Sequence, residues 1–124
     1  MGKFVIKPAK NGFMFNLKAG NGEVIATSQI YKALDSCKKG IASVSRIAAD
    51  ANVEDQTVKD YAAQINPKFE IYTDKGGEFR FRLKAKNGQI VASSEGYKTM
   101  KSCQNGIASV RKNAVDAPVS LEKK

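Results

Sequence analysis

YKALDSCKKGIASV at residues 31–44 returns as YKTMKSCQNGIASV at residues 97–110. The second copy stands 66 positions after the first (97 against 31), and the register holds well outside this window. Over the aligned stretch about half the positions are identical, so the chain is read as a tandem duplication. Two copies are too few for a solenoid, and the period is too long. A half of ~55 residues buries too little surface to be more than marginal alone. Two copies in a chain of 124 residues can share one core.

Upstream of the repeated stretch, Phe13, Phe15, Leu17 and Ala19 alternate with Met14, Asn16 and Lys18, the period of a strand with one buried face. Asn21-Gly22 then predicts a two-residue type I′ hairpin turn, which needs positive φ at both central residues. That turn pairs Ala19 with Val24, Leu17 with Ala26 and Phe15 with Ser28. Paired residues share a face, so Val24, Ala26 and Ser28 look inward and Ile25 and Thr27 outward. An earlier strand opens at Phe4-Val5-Ile6, with Val5 outward and Pro8 limiting its far end. Downstream, Leu34, Cys37, Ile41, Val44 and Ala48 form an apolar stripe at helical spacing, which predicts a helix from about 34 to 49. Gly40 costs such a helix about 1 kcal/mol against Ala. Its return as Gly106 points to a close approach of helix and sheet. A short last strand follows around Val53.

The second copy repeats the scheme. Phe79, Phe81, Leu83 and Ala85 alternate, Asn87-Gly88 repeats the turn, and Val91 and Ser93 point outward. Met100, Cys103, Ile107, Val110 and Ala114 rebuild the stripe, and Asp116-Ala117-Pro118-Val119 matches Asp50-Ala51-Asn52-Val53. Residues 57–66 have no counterpart. Thr57-x-x-Asp60 resembles a capping box, and Val58, Tyr61, Ala62 and Ile65 sit at helical spacing, which predicts a short linker helix ended by Pro67, with an irregular linker as the alternative. The chain thus divides into a first βββαβ repeat (1–56), a linker (57–67) and a second βββαβ repeat (68–124).

The string Asn-Gly, Ser28, Tyr31-Lys32 and Gly-Ile-Ala-Ser-Val at 40–44 recurs as Asn87-Gly88, Ser94, Tyr97-Lys98 and 106–110. It resembles the YegP-like family of small uncharacterised bacterial proteins over nearly the whole chain outside 57–66. The resemblance implies an α+β fold: two tandem βββαβ repeats forming one continuous, mainly antiparallel sheet with the helices on one face. It also implies that the last strand of each repeat can swap into the other's part of the sheet. The long linker leaves the path of the Val53 strand open. The family brings no agreed activity.

Composition narrows the chemistry. With no histidine, the commonest general base and neutral metal ligand are missing. Cys37 and Cys103 are isolated and make no C-x-x-C pair, so neither a zinc site nor any other cofactor is expected. They read as small apolar residues of the helix stripe. No segment is long and apolar enough for a signal peptide or membrane span, and the chain is read as a cytoplasmic monomer. The net charge of +9 favours anionic partners, and residues 67–124 carry 12 basic and 6 acidic side chains against 9 and 6 before them.

Two sets of polar residues are candidates. Ser28, Tyr31, Ser94 and Tyr97 occupy equivalent places and form either a small polar site per repeat or local structural contacts, the second reading being favoured. A serine nucleophile needs a base that this chain does not supply, so no catalytic residue is assigned. Arg80, Arg82, Lys84 and Lys86 alternate outward along ~20 Å of strand, with Lys18 the one basic match in the first copy. Such a strip fits a phosphate backbone, although the strand lacks the outward aromatics of most single-strand binders, and the favoured alternative is a solvated charged face that discourages association. The expectation is a small non-enzymatic binding module that meets nucleic acid or another anionic partner through the open sheet face. The alternative is a protein-interaction or stress-associated structural module.

Overall fold

The computed structural model describes residues 2–115 and 117–121, so Asp116 lies outside the described residues. Strands β1 (Lys3–Ala9), β2 (Gly12–Lys18) and β3 (Val24–Thr27) lead to helix α1 (Leu34–Ile47) and strand β4 (Asn52–Asp55). After the linker come β5 (Lys68–Thr73), β6 (Phe79–Lys84), β7 (Ile90–Ser93), helix α2 (Met100–Ala114) and β8 (Val119–Leu121). The strands form one open mixed sheet in the order β4-β5-β6-β7-β3-β2-β1-β8. Each repeat's last strand lies in the other's part of it. β4 runs parallel to β5 and β8 parallel to β1, while the remaining neighbours are antiparallel. Val53 faces Phe69, which gives the path of its strand.

The inner face carries the core. Phe4, Phe15, Leu17, Phe69, Phe81 and Leu83 are fully buried with Cys37, Val44, Cys103 and Val110 of the helix stripes. Each buried Phe contributes roughly 1.5–3 kcal/mol. Phe4 meets the Phe15 ring edge-on at 5.7 Å, and Phe69 meets Phe81 likewise at 5.9 Å. Tyr31 lies parallel to Phe15 at 6.4 Å and Tyr97 to Phe81 at 6.2 Å. The helix glycines make room for these rings. A Cβ on Gly40 would sit 2.8 Å from Tyr31 Cζ and 3.2 Å from Phe15 Cε2, and one on Gly106 would sit 2.9 Å from Phe81 Cε2. The close approach is therefore to the tyrosine that leads into each helix.

The halves meet in the middle of the sheet through one paired rung among the described residues, Thr27 with Ser93. The helix layer adds more. Ser45 Oγ donates to Ala114 O at 2.7 Å. Arg111 donates to the carbonyls of Ala48, Ala49 and Ala51 at 3.3, 2.8 and 2.7 Å, satisfying acceptors at the end of α1. Its guanidinium lies 5.2 Å from the Phe69 ring centroid.

Four sequence expectations change. The Asn21-Gly22 turn is not type I′, because only Gly22 has positive φ (88°). Gly22 N donates to Ala19 O and Ala19 N to Glu23 O, so the hairpin closes over three residues and carries a bulge. The register slips between Leu17 and Lys18: Leu17 still faces Ala26, but Lys18 faces Val24 and Ile25 is skipped. Ile25 therefore joins Ala26 in the core, while Val24 is 38% exposed. The same slip between Leu83 and Lys84 brings Val91 into the core rather than outward. Pro8 does not end β1, which continues to Ala9. Its partner Phe13 spends both backbone groups on Tyr31, so the missing Pro8 N–H is not needed.

Residues 57–66 form no helix. The carboxylates that end β4 bind this segment instead. Asp55 Oδ1 accepts from Thr57 N at 2.9 Å, and Glu54 Oε1 accepts from Gln64 N at 2.7 Å. A helix of about ten residues is marginal in water without packing, and these competing bonds decide its conformation.

Candidate functional site

The basic strip lies on the outer face of β6, and carboxylates match most of it. Arg80 Nε contacts Asp74 Oδ2 at 2.6 Å, and Arg82 Nε contacts Glu70 Oε1 at 2.6 Å. Arg82 also covers the Tyr72 ring at 4.6 Å. Lys84 Nζ reaches Glu70 Oε2 at 3.3 Å. Lys68 bridges Glu70 at 3.1 Å and Glu54 at 2.7 Å. Lys86 is exposed in the β6–β7 turn and Lys18 half-buried at the end of β2, and neither has an ion pair among the described residues.

Glu54 and Glu70 face each other across β4 and β5, and each is 2% exposed. Two like charges at such positions repel, so the shared Lys68 is what makes the pair tolerable. The hydrogen bond from Lys68, with those from Gln56 and Gln64 N, holds the Glu54 carboxyl down at about 2. Burial alone would raise Glu70, but bonds from Arg82, Lys68 and Lys84 outweigh it and its pKa falls. Glu54 raises Lys68 in turn, and Arg80 lowers Asp74. All four groups stay charged at neutral pH, in a compact network that also pins the linker to the outer face.

The repeated serines and tyrosines have local roles. Ser28 Oγ accepts from Phe15 N at 2.9 Å and donates to Gln29 O at 2.7 Å. Ser94 does the same with Phe81 N at 2.9 Å and Glu95 O at 2.8 Å. Each hydroxyl extends the hairpin ladder by one rung. Tyr31 and Tyr97 form bridges with Phe13 and Phe79, and burial raises both phenol pKa values. The structure brings Ser28 and Tyr31 together only around Phe15, not around a shared opening. Both cysteines are buried and free, and burial pushes the Cys103 thiol up to about 11. At neutral pH it is protonated and a poor nucleophile. Among the described residues, no group of three or more Cys, Asp or Glu side chains is placed to hold a metal ion.

Two openings escape sequence reasoning, because each joins one repeat's helix to the other repeat's hairpin. The first, about 410 Å³, lies between α1 and the β6–β7 turn, with Tyr31, Ser36, Lys39, Ser43, Asn87 and Gln89 among its lining. The second, about 470 Å³, lies between α2 and the β2–β3 turn, with Asn21, Asn105, Ser109, Lys112 and Asn113 among its lining. They are equivalent under the repeat. The available signal was the identity of Asn21 with Asn87 and of Ser43 with Ser109, positions outside the core.

Residues 9–55 and 74–120 each match the family described as Domain of unknown function (DUF1508). The chain is 41% identical over 117 residues to a UPF0339 protein of Bordetella pertussis, covering 94% of this chain and 92% of that one. It is 41% identical over 113 residues to the UPF0339 protein YegP of Escherichia coli, covering 91% and 89%. The solution NMR structure of the E. coli yegP protein, described as of unknown function, superposes with a TM-score of 0.80 at 38% identity over 98% of this chain and 92% of that one. A Shewanella oneidensis UPF0339 protein superposes at 0.78 with 30% identity, covering 97% and 90%. These descriptions name no activity. Among the described residues no helix is long and apolar enough to cross a membrane.

Proposed function

The chain belongs to the UPF0339/YegP family and carries its DUF1508 domain twice, and we propose that it is a small non-enzymatic binding module for an anionic partner, with nucleic acid the candidate. It acts as a cytoplasmic monomer. One observation carries the reading. The ion pairs around Glu54, Glu70 and Asp74 lie on the outer face of the second half, whereas the helix layer is basic and carries no ion pair among the described residues. Residues 29–51 and 95–115 hold eight cations against three carboxylates. Seven of those cations, Lys32, Lys38, Lys39, Arg46, Lys98, Lys101 and Lys112, are exposed without an ion pair among the described residues. The partner surface is thus moved from the Arg80–Arg82–Lys84 strip to the helix layer, with Lys86 at its margin and Lys18 left on the outer face.

Fluorescence anisotropy with labelled single- and double-stranded oligonucleotides tests this. Binding should weaken steeply with salt, because counterions are released from the phosphates. Charge reversal at Lys38, Lys39 and Lys112 should abolish it, while Arg80→Ala should leave it nearly unchanged. No affinity at low salt would end the reading.

A protein-interaction module is the second reading, favoured by the linker. Val58, Tyr61 and Ile65 are 51%, 43% and 80% exposed there, large apolar side chains close together along the chain. Partners captured from lysate after nuclease treatment, and lost on substituting these three residues, would favour it over nucleic acid.

A further inference from the structure

We propose that the opening between α1 and the β6–β7 turn is a binding site for a phosphate ester, with Lys39 as its principal cation. The inference rests on the anionic-partner reading and gives that partner a place to seat one phosphate. Ser36, Lys39 and Ser43 are three and four residues apart, so α1 turns them to one side of the opening. Asn87 and Gln89 of the turn form the opposite side, and Tyr31 lies over Gly40 between them. No lining residue is acidic. Lys86 is exposed in the turn between the lining residues Ala85 and Asn87 and adds a second cation at the rim.

The donors match an acceptor-only group. Asn87 Oδ1 is taken by Gln89 N at 3.0 Å, and Asn87 Nδ2 is turned to Gln89 Oε1 at 3.3 Å. That leaves the Gln89 amide nitrogen, the Ser36 and Ser43 hydroxyls and the Lys39 ammonium as donors around one space. A phosphate takes hydrogen bonds only as an acceptor, and a cation strengthens them. At about 410 Å³ the space falls within the usual range of ligand pockets, roughly 300–1,000 Å³.

The equivalent opening shows why the first is the site. Asn105 replaces Lys39 there and Gly20 replaces Lys86, which leaves Lys112 as the one cation of that lining against two cations at the first opening. Asn113 Nδ2 donates to Ser109 Oγ at 3.1 Å and to Ser109 O at 2.8 Å, which engages the hydroxyl that corresponds to Ser43. Ser43 has Ile47 at that position and is left available.

The phosphate can come from a free mononucleotide or from the backbone of a single strand. Isotope-labelled full-length protein is titrated with inorganic phosphate, adenosine 5′-monophosphate and a short single-stranded oligonucleotide, following amide shifts. The expected result is shifts concentrated at 36–43 and 86–89, about tenfold weaker binding in Lys39→Ala (about 1.4 kcal/mol), several-fold weaker binding in Ser43→Ala, and no change in Lys75→Ala. Shifts that miss both segments, or equal effects of Lys39→Ala and Lys75→Ala, overturn the site. Oligonucleotide binding untouched by Lys39→Ala overturns the site but keeps the nucleic-acid reading. Monophosphate binding at the site without oligonucleotide binding keeps the site and removes that reading.

Discussion

On the outer face, one row of side chains crosses all eight strands. Glu54, Glu70, Arg82 and Ser93 lie in one half of the sheet, and Thr27, Asn16, Val5 and Ser120 in the other. By the repeat, Glu70 stands where the first half has Val5, Arg82 where it has Asn16, and Glu54 where it has Ser120. The inner faces differ far less, with phenylalanine against phenylalanine and cysteine against cysteine. Duplication has kept what packs between sheet and helix and released what does not. That row is therefore charged on one half and uncharged on the other, with Lys3 and Lys18 beside it, on the same backbone plan.

The core sets the largest expected effect. Phe15→Ala and Phe81→Ala should each destabilise by about 3–5 kcal/mol in denaturant unfolding. Their surroundings are so alike that a difference well above 1 kcal/mol would break the equivalence of the halves. The outer face comes next. Glu70→Val copies the first half but strands Lys68, Arg82 and Lys84 around one remaining carboxylate, and should cost about 3 kcal/mol. Adding Glu54→Ser and Arg82→Asn, which completes the copy, should recover much of that loss. If the triple variant is the least stable of the set, the network is needed by the fold rather than added to it.

Acid should separate the halves further. The folded Glu54 carboxyl, at about 2, lies below its ordinary value of 4.5. Its contribution is thus complete above pH 4.5 and is lost as the pH falls toward 2. Glu70 and Asp74 are also lowered, so they act in the same direction. Hydrogen exchange in that window should rise first at β4 and β5 and later at β1 and β2, and Glu54→Gln should flatten the difference. The smallest effect concerns the helix starts. Thr99 accepts from Ser102 N at 3.1 Å, whereas Ala33 offers α1 no side-chain cap. Thr99→Ala should cost about 1 kcal/mol and Ala33→Thr should gain a similar amount.

Much of the inner face was legible in the sequence. Phe13 to Ala19 alternates because one side faces a core, and Leu34 to Ala48 steps by turns of a helix for the same reason. The helix glycines announced a close approach, though not that a tyrosine hydroxyphenyl group would fill it. The Asn-Gly pairs gave the hairpins but not the bulge, because the same dipeptide serves a two- or a three-residue loop and only the backbone angle at Asn21 separates them. The outer face was least legible. Arg80, Arg82 and Lys84 alternate cleanly along one strand, but the carboxylates that match them come from neighbouring strands and the preceding turn. The openings were hidden for a similar reason, since each is shared between repeats. The linker pattern at 57–66 was real, but Glu54 and Asp55 bind its backbone before any surface packs against its apolar residues.

The exchanged edge strands also bear on how the protein is made. Phe4 pairs with Val119, so the outer edge of β1 is covered by a strand made more than a hundred residues later. While the second repeat is still being made, the outer edge of β1 lacks its partner strand. Its own last strand is meanwhile held in reserve for a β5 not yet synthesised. Contacts this distant along a chain slow folding. Between the synthesis of β1 and that of β8 the chain therefore presents a strand edge that residues 119–121 later close.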